Sequence, residues 1–169
     1  MNPVIWIGYL EHATDKDLEY FQKNIGKGGF TIFAKMLIAS QHRNLQELPW
    51  CATFVHAVVN RPDILGKAHP GCRVLERRMK RKKYWREPVD YIPVRGDIVF
   101  YSNSKTKYVD HCGFVEAYDG AQLTTINGNG PDDEGHFGVD EGGCVCRLTY
   151  AASDPKIVGY AAIGTLYLW

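Results

Sequence analysis

Pro93-Val94-Arg95-Gly96-Asp97-Ile98-Val99-Phe100-Tyr101 marks the point at which the chain changes its period. Upstream, apolar residues recur at the three- and four-residue intervals of a helix face. From Asp97 onward they come as short, β-rich runs separated by turn residues. Asp97–Tyr101 predicts the first strand and Cys112–Tyr118 the next. Asp119-Gly120 is a strong hairpin signal, so Gln122–Ile126 predicts the returning strand. Asn127–Gly143 predicts a Gly-rich loop, after which Cys144–Tyr150 and Ile157–Ile163 complete a sheet of about five strands.

The upstream part predicts four helices. Thr14 and Asp17 form a capping pair ahead of Leu18, Phe21, Gln22 and Ile25, with Gly26 as a stop. Thr31–Ala39 predicts a second helix with Phe33, Ala34, Leu37 and Ile38 on one face. Trp50–Asn60 predicts a third, carrying Phe54, Val55, Val58 and Val59 and stopped by Pro62. Arg73–Lys83 predicts a fourth, with Val74, Leu75 and Met79 as its apolar side. Helices followed by a meandering antiparallel sheet make an α+β fold. We expect a single domain over residues 1–169, helical to about 87 and β from about 88.

Composition narrows the class. A 169-residue chain that is 45% hydrophobic, 23% charged and only +1 in net charge forms a globular core and is not a disordered segment. Arg73–Arg86 nevertheless holds eight basic residues against one acid, Glu76. Such a strip fits a solvated helix face or contact with an anionic polymer. Compensating acids include Asp132, Asp133, Glu134, Asp140 and Glu141. Five cysteines, an odd and low number, do not make a secreted disulfide framework. Cys144 and Cys146 have no second ligand pair at finger-like spacing, so no zinc site is expected there. No apolar run reaches the ~18 residues of a membrane span, and Val4-Ile5-Trp6-Ile7 lacks the flanks of a signal peptide.

One thiol stands at a helix start, in Pro49-Trp50-Cys51-Ala52-Thr53-Phe54-Val55. Partial positive charge there favours the nucleophilic thiolate. A cysteine nucleophile needs a base. Of the histidines at 12, 42, 56, 69, 111 and 136, His111 opens a predicted strand, where an imidazole is held firmly. His136 lies in the Gly-rich loop, and His56, five residues beyond Cys51, does not share its helix face. The base needs an orienting group. The predicted hairpin returns Asn127 and Asn129 to the neighbourhood of His111.

In this order the chain resembles the CHAP family of cysteine amidohydrolases and peptidases, within the NlpC/P60-like, papain-like group. The matching pieces are Trp50–Val55, Pro93–Phe100, Asp110-His111-Cys112-Gly113-Phe114-Val115-Glu116, Thr125–Asn129 and Ile157–Tyr160. Gly8-Tyr9-Leu10-Glu11 and the two predicted helices after it resemble the lead-in of phage-type members. The resemblance implies Cys51 as nucleophile, His111 as base and residue 127 as orienter, with Asn129 close by. Many members carry Glu where this chain has Asn127, and an aliphatic residue where it has Cys112.

It further implies a peptidoglycan hydrolase acting through a thioester, either an N-acetylmuramoyl-L-alanine amidase or an endopeptidase. The Cys51 N–H is the natural oxyanion donor; Gln46 and Asn44 are available as a second. A catalytic domain without a signal peptide fits a phage-type endolysin, or a mobile-element or exported effector enzyme, made in the cytoplasm and acting on the wall. No cofactor or metal is called for, since Asp132-Asp133-Glu134 does not match an alternating calcium loop. The expected partner is a peptidoglycan peptide, with no nucleic acid, no membrane and a monomeric chain. The alternatives are a cysteine hydrolase or transferase acting on a non-wall amide, and a nucleic-acid-binding module using the strip 73–86.

Overall fold

The computed structural model describes residues 1–102, 108–131 and 142–167. Within them the chain is α+β, four helices and one antiparallel sheet. The helices are α1 (Ile32–Gln41), α2 (Cys51–Val59), α3 (Pro62–Leu65) and α4 (Cys72–Arg81). The strands are β1 (Trp85–Arg86), β2 (Ile98–Tyr101), β3 (His111–Tyr118), β4 (Gln122–Gly130), β5 (Cys144–Ala151) and β6 (Ile157–Ala161), in the order β1-β6-β2-β3-β4-β5. The sheet has six strands where about five were expected. The added one is the two-residue β1, too short to show a period and lying in the stretch assigned to helices.

The helix predicted from Thr14 does not form. The Thr14 hydroxyl, its intended cap, instead accepts from Asn24 Nδ2 at 2.6 Å. Asp17 and Asn24 take left-handed backbone (φ 58° and 54°), and His12 bridges both Ile25 and Phe30. The segment folds back as a loop that still buries Leu18.

The other helices stand where their periods place them. Thr31 caps α1 through its hydroxyl, which accepts from Ala34 N at 3.1 Å. Phe33, Ala34 and Leu37 are buried, whereas Ile38 is exposed. All nine residues of α2 are buried, as expected of a helix apolar all round. It ends at Asn60, whose φ of 44° closes the last turn, and Pro62 opens α3 rather than stopping α2. Leu75 and Met79 anchor α4. On its outer side Lys80 pairs with Glu76 at 2.7 Å and Arg73 lies over the Tyr108 ring at 4.0 Å.

Helix α2 packs on one face of the sheet, against Phe100, Cys112, Phe114 and Ile126. The opposite face carries Val99, Tyr101, Val115, Leu123 and Tyr160. Strands β3 and β4 turn at Asp119-Gly120 as predicted, with Gly120 at φ 97° and Asp119 Oδ1 accepting from two backbone N–H groups. Strand β4 continues beyond the predicted loop boundary at Asn127, because Asn127 pairs with Cys146 and Gly130 with Cys144 across a bulge. The acidic run Asp132-Asp133-Glu134, His136, Asp140 and Glu141 lie outside the described residues.

Asp97 ties the sheet to both flanking loops. Its Oδ2 accepts from Tyr91 Oη at 2.7 Å and Val94 N at 2.9 Å, and its Oδ1 accepts from Ile163 N and Gly164 N at 3.0 and 2.9 Å. Among the described residues no helix is long and apolar enough to cross a membrane.

Candidate active site

Cys51 is the first residue of α2, and its thiol is buried at the helix N-terminus. The backbone N–H groups of the first helical turn have no carbonyl partner inside the helix, so they point their partial positive charge toward the thiol. The preceding Trp50 is locked in place. Its indole N–H donates to the buried Glu11 carboxylate at 2.8 Å, and its ring stacks on Phe33.

His111 opens β3 and pairs with Tyr101 of β2, the two rings 5.7 Å apart. On β4 the ladder sets Ile126 against Phe114, which brings Asn127 opposite Gly113 and diagonal to His111. A Cβ at Gly113 would stand 2.3 Å from Asn127 Oδ1, so the missing side chain is what lets the amide lean across. Asn127 Oδ1 reaches His111 Nε2 at 3.2 Å.

A chain of hydroxyls sets the orientation of that amide. Thr125 Oγ1 donates to Leu148 O at 3.3 Å. Its lone pairs accept from Tyr101 Oη at 3.1 Å and Asn127 Nδ2 at 2.9 Å. The amide nitrogen thus faces Thr125 and the amide oxygen faces the imidazole. His111 Nε2 is therefore the N–H donor, which in the neutral ring leaves Nδ1 as the acceptor.

The electrostatics follow this layout. Hydrogen bonds from Cys112 and then Cys72 hold the Cys51 thiol well below its ordinary value, against burial, and His111 adds to the effect. Burial alone would lower His111, but its hydrogen bond and Coulomb attraction to Cys51, with the Asn127 contact and Asp110 behind them, carry it above the usual range. Both shifts favour a thiolate–imidazolium pair.

Cys51, His111 and Asn127 come together; Asn129 does not join them. It sits in the β4 bulge at φ 55° and lines a polar depression of about 340 Å³ with Glu11, Lys27, Glu47 and Trp50. A second, apolar cleft of about 410 Å³ lies beside the thiol, lined by Cys51, His69, Pro70, Cys72 and Val109. Pro49 borders both, so the two flank the Cys51 helix start. Gln46 is unsuited as an oxyanion donor: its side chain clasps the Thr31 backbone, accepting from N at 2.8 Å and donating to O at 3.1 Å. The Asn44 carboxamide oxygen accepts from Gln46 N at 3.1 Å.

Sequence reasoning passed over Thr125, Tyr101 and Gly113, which orient Asn127, and Cys72, which touches Cys51. Thr125 and Tyr101 carry a signal in hindsight, as polar atoms at inward-facing strand positions. Cys72 carries none, since nothing local ties it to Cys51.

The family model described as the CHAP domain matches residues 43–129. No curated protein matches the chain. Two solved structures, described as the crystal structure of Ly7917 and Ly7917 with the hydrolyzing product of MDP, are similar at 23% identity and a TM-score of 0.32. In each case the match covers 47% of this chain and 32% of the other.

Proposed function

Since the chain belongs to the CHAP domain family of cysteine amidohydrolases and peptidases, we propose that it hydrolyses amide bonds of peptidoglycan with Cys51 as nucleophile, His111 as acid–base and Asn127 as orienter. The observation that carries the assignment of residues is the array itself. An imidazole at a strand start has its Nε2 held by an amide oxygen at 3.2 Å, and a thiol at a helix start lies where its charge and that of the imidazole favour each other.

The steps follow from the geometry. His111 Nδ1 takes the Cys51 proton, and the thiolate attacks the amide carbonyl. The Cys51 backbone N–H stabilises the oxyanion. The imidazolium returns its proton to the departing amine, leaving a thioester. His111 then draws a proton from water, which attacks the thioester and frees Cys51. Throughout, the Asn127 oxygen accepts from Nε2–H and keeps the ring aligned.

The substrate class is supported by the family and by the two depressions beside Cys51. The apolar cleft suits alkyl parts of a stem peptide. The depression with Glu11, Lys27, Glu47 and Asn129 suits its charged and amide groups, which is the role we assign to Asn129. Either the muramoyl–alanine amide or a peptide bond of the stem or cross-bridge fits such a groove.

The test is digestion of purified peptidoglycan by the wild type beside Cys51→Ala. The wild type should clear the suspension and release new amine termini, whose identity distinguishes amidase from endopeptidase. Equal digestion by the variant would remove Cys51 from the mechanism. Release of no amines by the wild type would remove the wall as substrate.

A further inference from the structure

The proposed reaction uses one cysteine, yet three converge. Cys51 opens α2, Cys72 opens α4 and Cys112 is the second residue of β3. Cys51 Sγ lies 3.2 Å from Cys72 Sγ, and Cys72 Sγ lies 3.5 Å from Cys112 Sγ. All three sulfurs fall within 4.8 Å of one another and all three residues are buried. No other group of three metal-ligating side chains stands so close among the described residues.

Three sulfurs in one place exceed what a disulfide needs and match what a soft metal ion needs. Around a tetrahedral zinc with Zn–S bonds of ~2.3 Å, neighbouring sulfurs stand about 3.8 Å apart. The separations here run from 3.2 Å to no more than 4.8 Å, so small side-chain rotations bring each sulfur into range. Cys51 sits at a helix N-terminus, where the deprotonated, metal-binding form of a thiol is favoured, whereas the neighbouring thiols and burial hold Cys72 and Cys112 protonated, so that their protons leave only as a metal takes their place. The fourth position is open to water or another small ligand. An entry path exists as well, because Cys51 and Cys72 both line the apolar cleft.

We propose that Cys51, Cys72 and Cys112 form a binding site for one thiophilic d10 cation, zinc in the first instance, and that its occupancy silences the enzyme. Binding exchanges protons for metal: one Zn²⁺ enters, the Cys72 and Cys112 thiols release one proton each, the Cys51–His111 pair releases its shared proton as pH requires, and no electrons move. The thiolate set selects zinc or cuprous ion over calcium and magnesium, which prefer oxygen. Inhibition follows because the lone pairs that would attack the carbonyl are held by the metal. The inhibition rests on Cys51 being the nucleophile; the binding does not.

The experiment titrates the whole chain, reduced with a phosphine under argon, with Co²⁺. A thiolate-to-cobalt charge-transfer band should rise and saturate at one equivalent, and Zn²⁺ should abolish it. Competition against a chromophoric chelator then gives the zinc affinity. Cys72→Ser and Cys112→Ser should each weaken it by at least about 100-fold, more than loss of an outer-shell partner costs. The double variant Cys144→Ser/Cys146→Ser should keep the band, and far-UV circular dichroism confirms that each variant is folded. In wall digestion, Zn²⁺ should inhibit the wild type at the concentration that fills the site, and Cys72→Ser far less relative to its own metal-free rate. No band in the wild type overturns the site. So does a band that survives in folded Cys72→Ser or Cys112→Ser, or one lost with Cys144 and Cys146. Recovery of a Cys51–Cys72 disulfide that takes up no metal after reduction overturns it in favour of a redox pair. The cobalt readout stands even if the wall is not the substrate.

Discussion

Asn127 Oδ1 stands 3.2 Å from His111 Nε2, and the direction of that hydrogen bond is decided two residues away by Thr125. Thr125 spends its own proton on Leu148 O, so toward position 127 it presents a lone pair, which Asn127 Nδ2 fills. A carboxylate at 127 has no donor to offer. An amide serves both neighbours, with nitrogen to the hydroxyl and oxygen to the ring. This gives a physical reason for Asn at a position where many relatives have Glu.

Asn127→Ala should therefore lower kcat/KM by roughly 10–100-fold, since the ring loses its alignment while nucleophile and base remain. The pH profile should move as well. Burial lowers the His111 pKa, while Cys51 and then Asn127 raise it, so deleting Asn127 removes one raising contact. The imidazolium then loses its proton at lower pH, and the alkaline limb of kcat/KM shifts down. Asn127→Asp should shift that limb up, because a carboxylate favours imidazolium. Limbs that coincide across all three proteins would mean that residue 127 does not act on His111.

Gly113→Ala tests whether space, and not only chemistry, holds the array. The added Cβ would lie 2.3 Å from Asn127 Oδ1 and 2.8 Å from Ile126 O, in the middle of a paired strand. The backbone is fixed by the ladder, so the amide must swing away from His111. We expect a loss of about 100-fold in kcat/KM, with a stability cost of about 1–3 kcal/mol from overpacking. Wall-digestion kinetics on protein shown to be folded give the answer; near-wild-type rates would mean that Asn127 holds its place without the gap.

How far the fold could be foreseen depended on how local its causes are. Strands β2 to β6 and helices α1, α2 and α4 follow from period and turn chemistry, and the Asp119-Gly120 turn carries Asn127 back to His111 by simple counting. The Thr14 helix failed because Asn24, ten residues on, takes the capping hydroxyl. The thiol cluster was invisible for the same reason on a larger scale. Cys51 and Cys72 are 21 residues apart, and Cys72 and Cys112 are 40 apart. No motif spacing links them; only the packing of α2 and α4 at the head of β3 does.

Asp97 belongs to a motif matched in sequence but serves the frame. All four of its hydrogen bonds run to loop donors, three backbone N–H groups and Tyr91 Oη. Asp97→Asn turns an amide nitrogen toward donors that need an acceptor. The expected loss is roughly 3 kcal/mol, given ~1.5–3 kcal/mol for hydrogen bonds to a charged group and a similar penalty for stranded buried donors. Urea unfolding at neutral pH measures it, as a lower midpoint with an unchanged slope. A midpoint within error of wild type would show that the loops hold without the carboxylate.

His56 makes the chain sensitive to acid. It lies in α2 at 1% exposure, and its Nε2 has no hydrogen-bond partner among the described residues. Burial first, then the charges of Arg78 and His69, push its pKa down to about 3. A histidine lowered in this way is neutral when folded and binds a proton when unfolded. Its contribution is fully present above the unfolded value of ~6.5 and is lost as pH falls toward about 3. Across that window it adds a slope of up to about 1.4 kcal/mol per pH unit. His56→Leu keeps an apolar side chain in the helix interior and removes the titrating group. Denaturant unfolding of both proteins at several pH values between 4 and 7 should show the variant's stability falling less steeply on acidification, with the two curves converging in slope above neutral. Parallel curves throughout would assign the acid sensitivity to other groups.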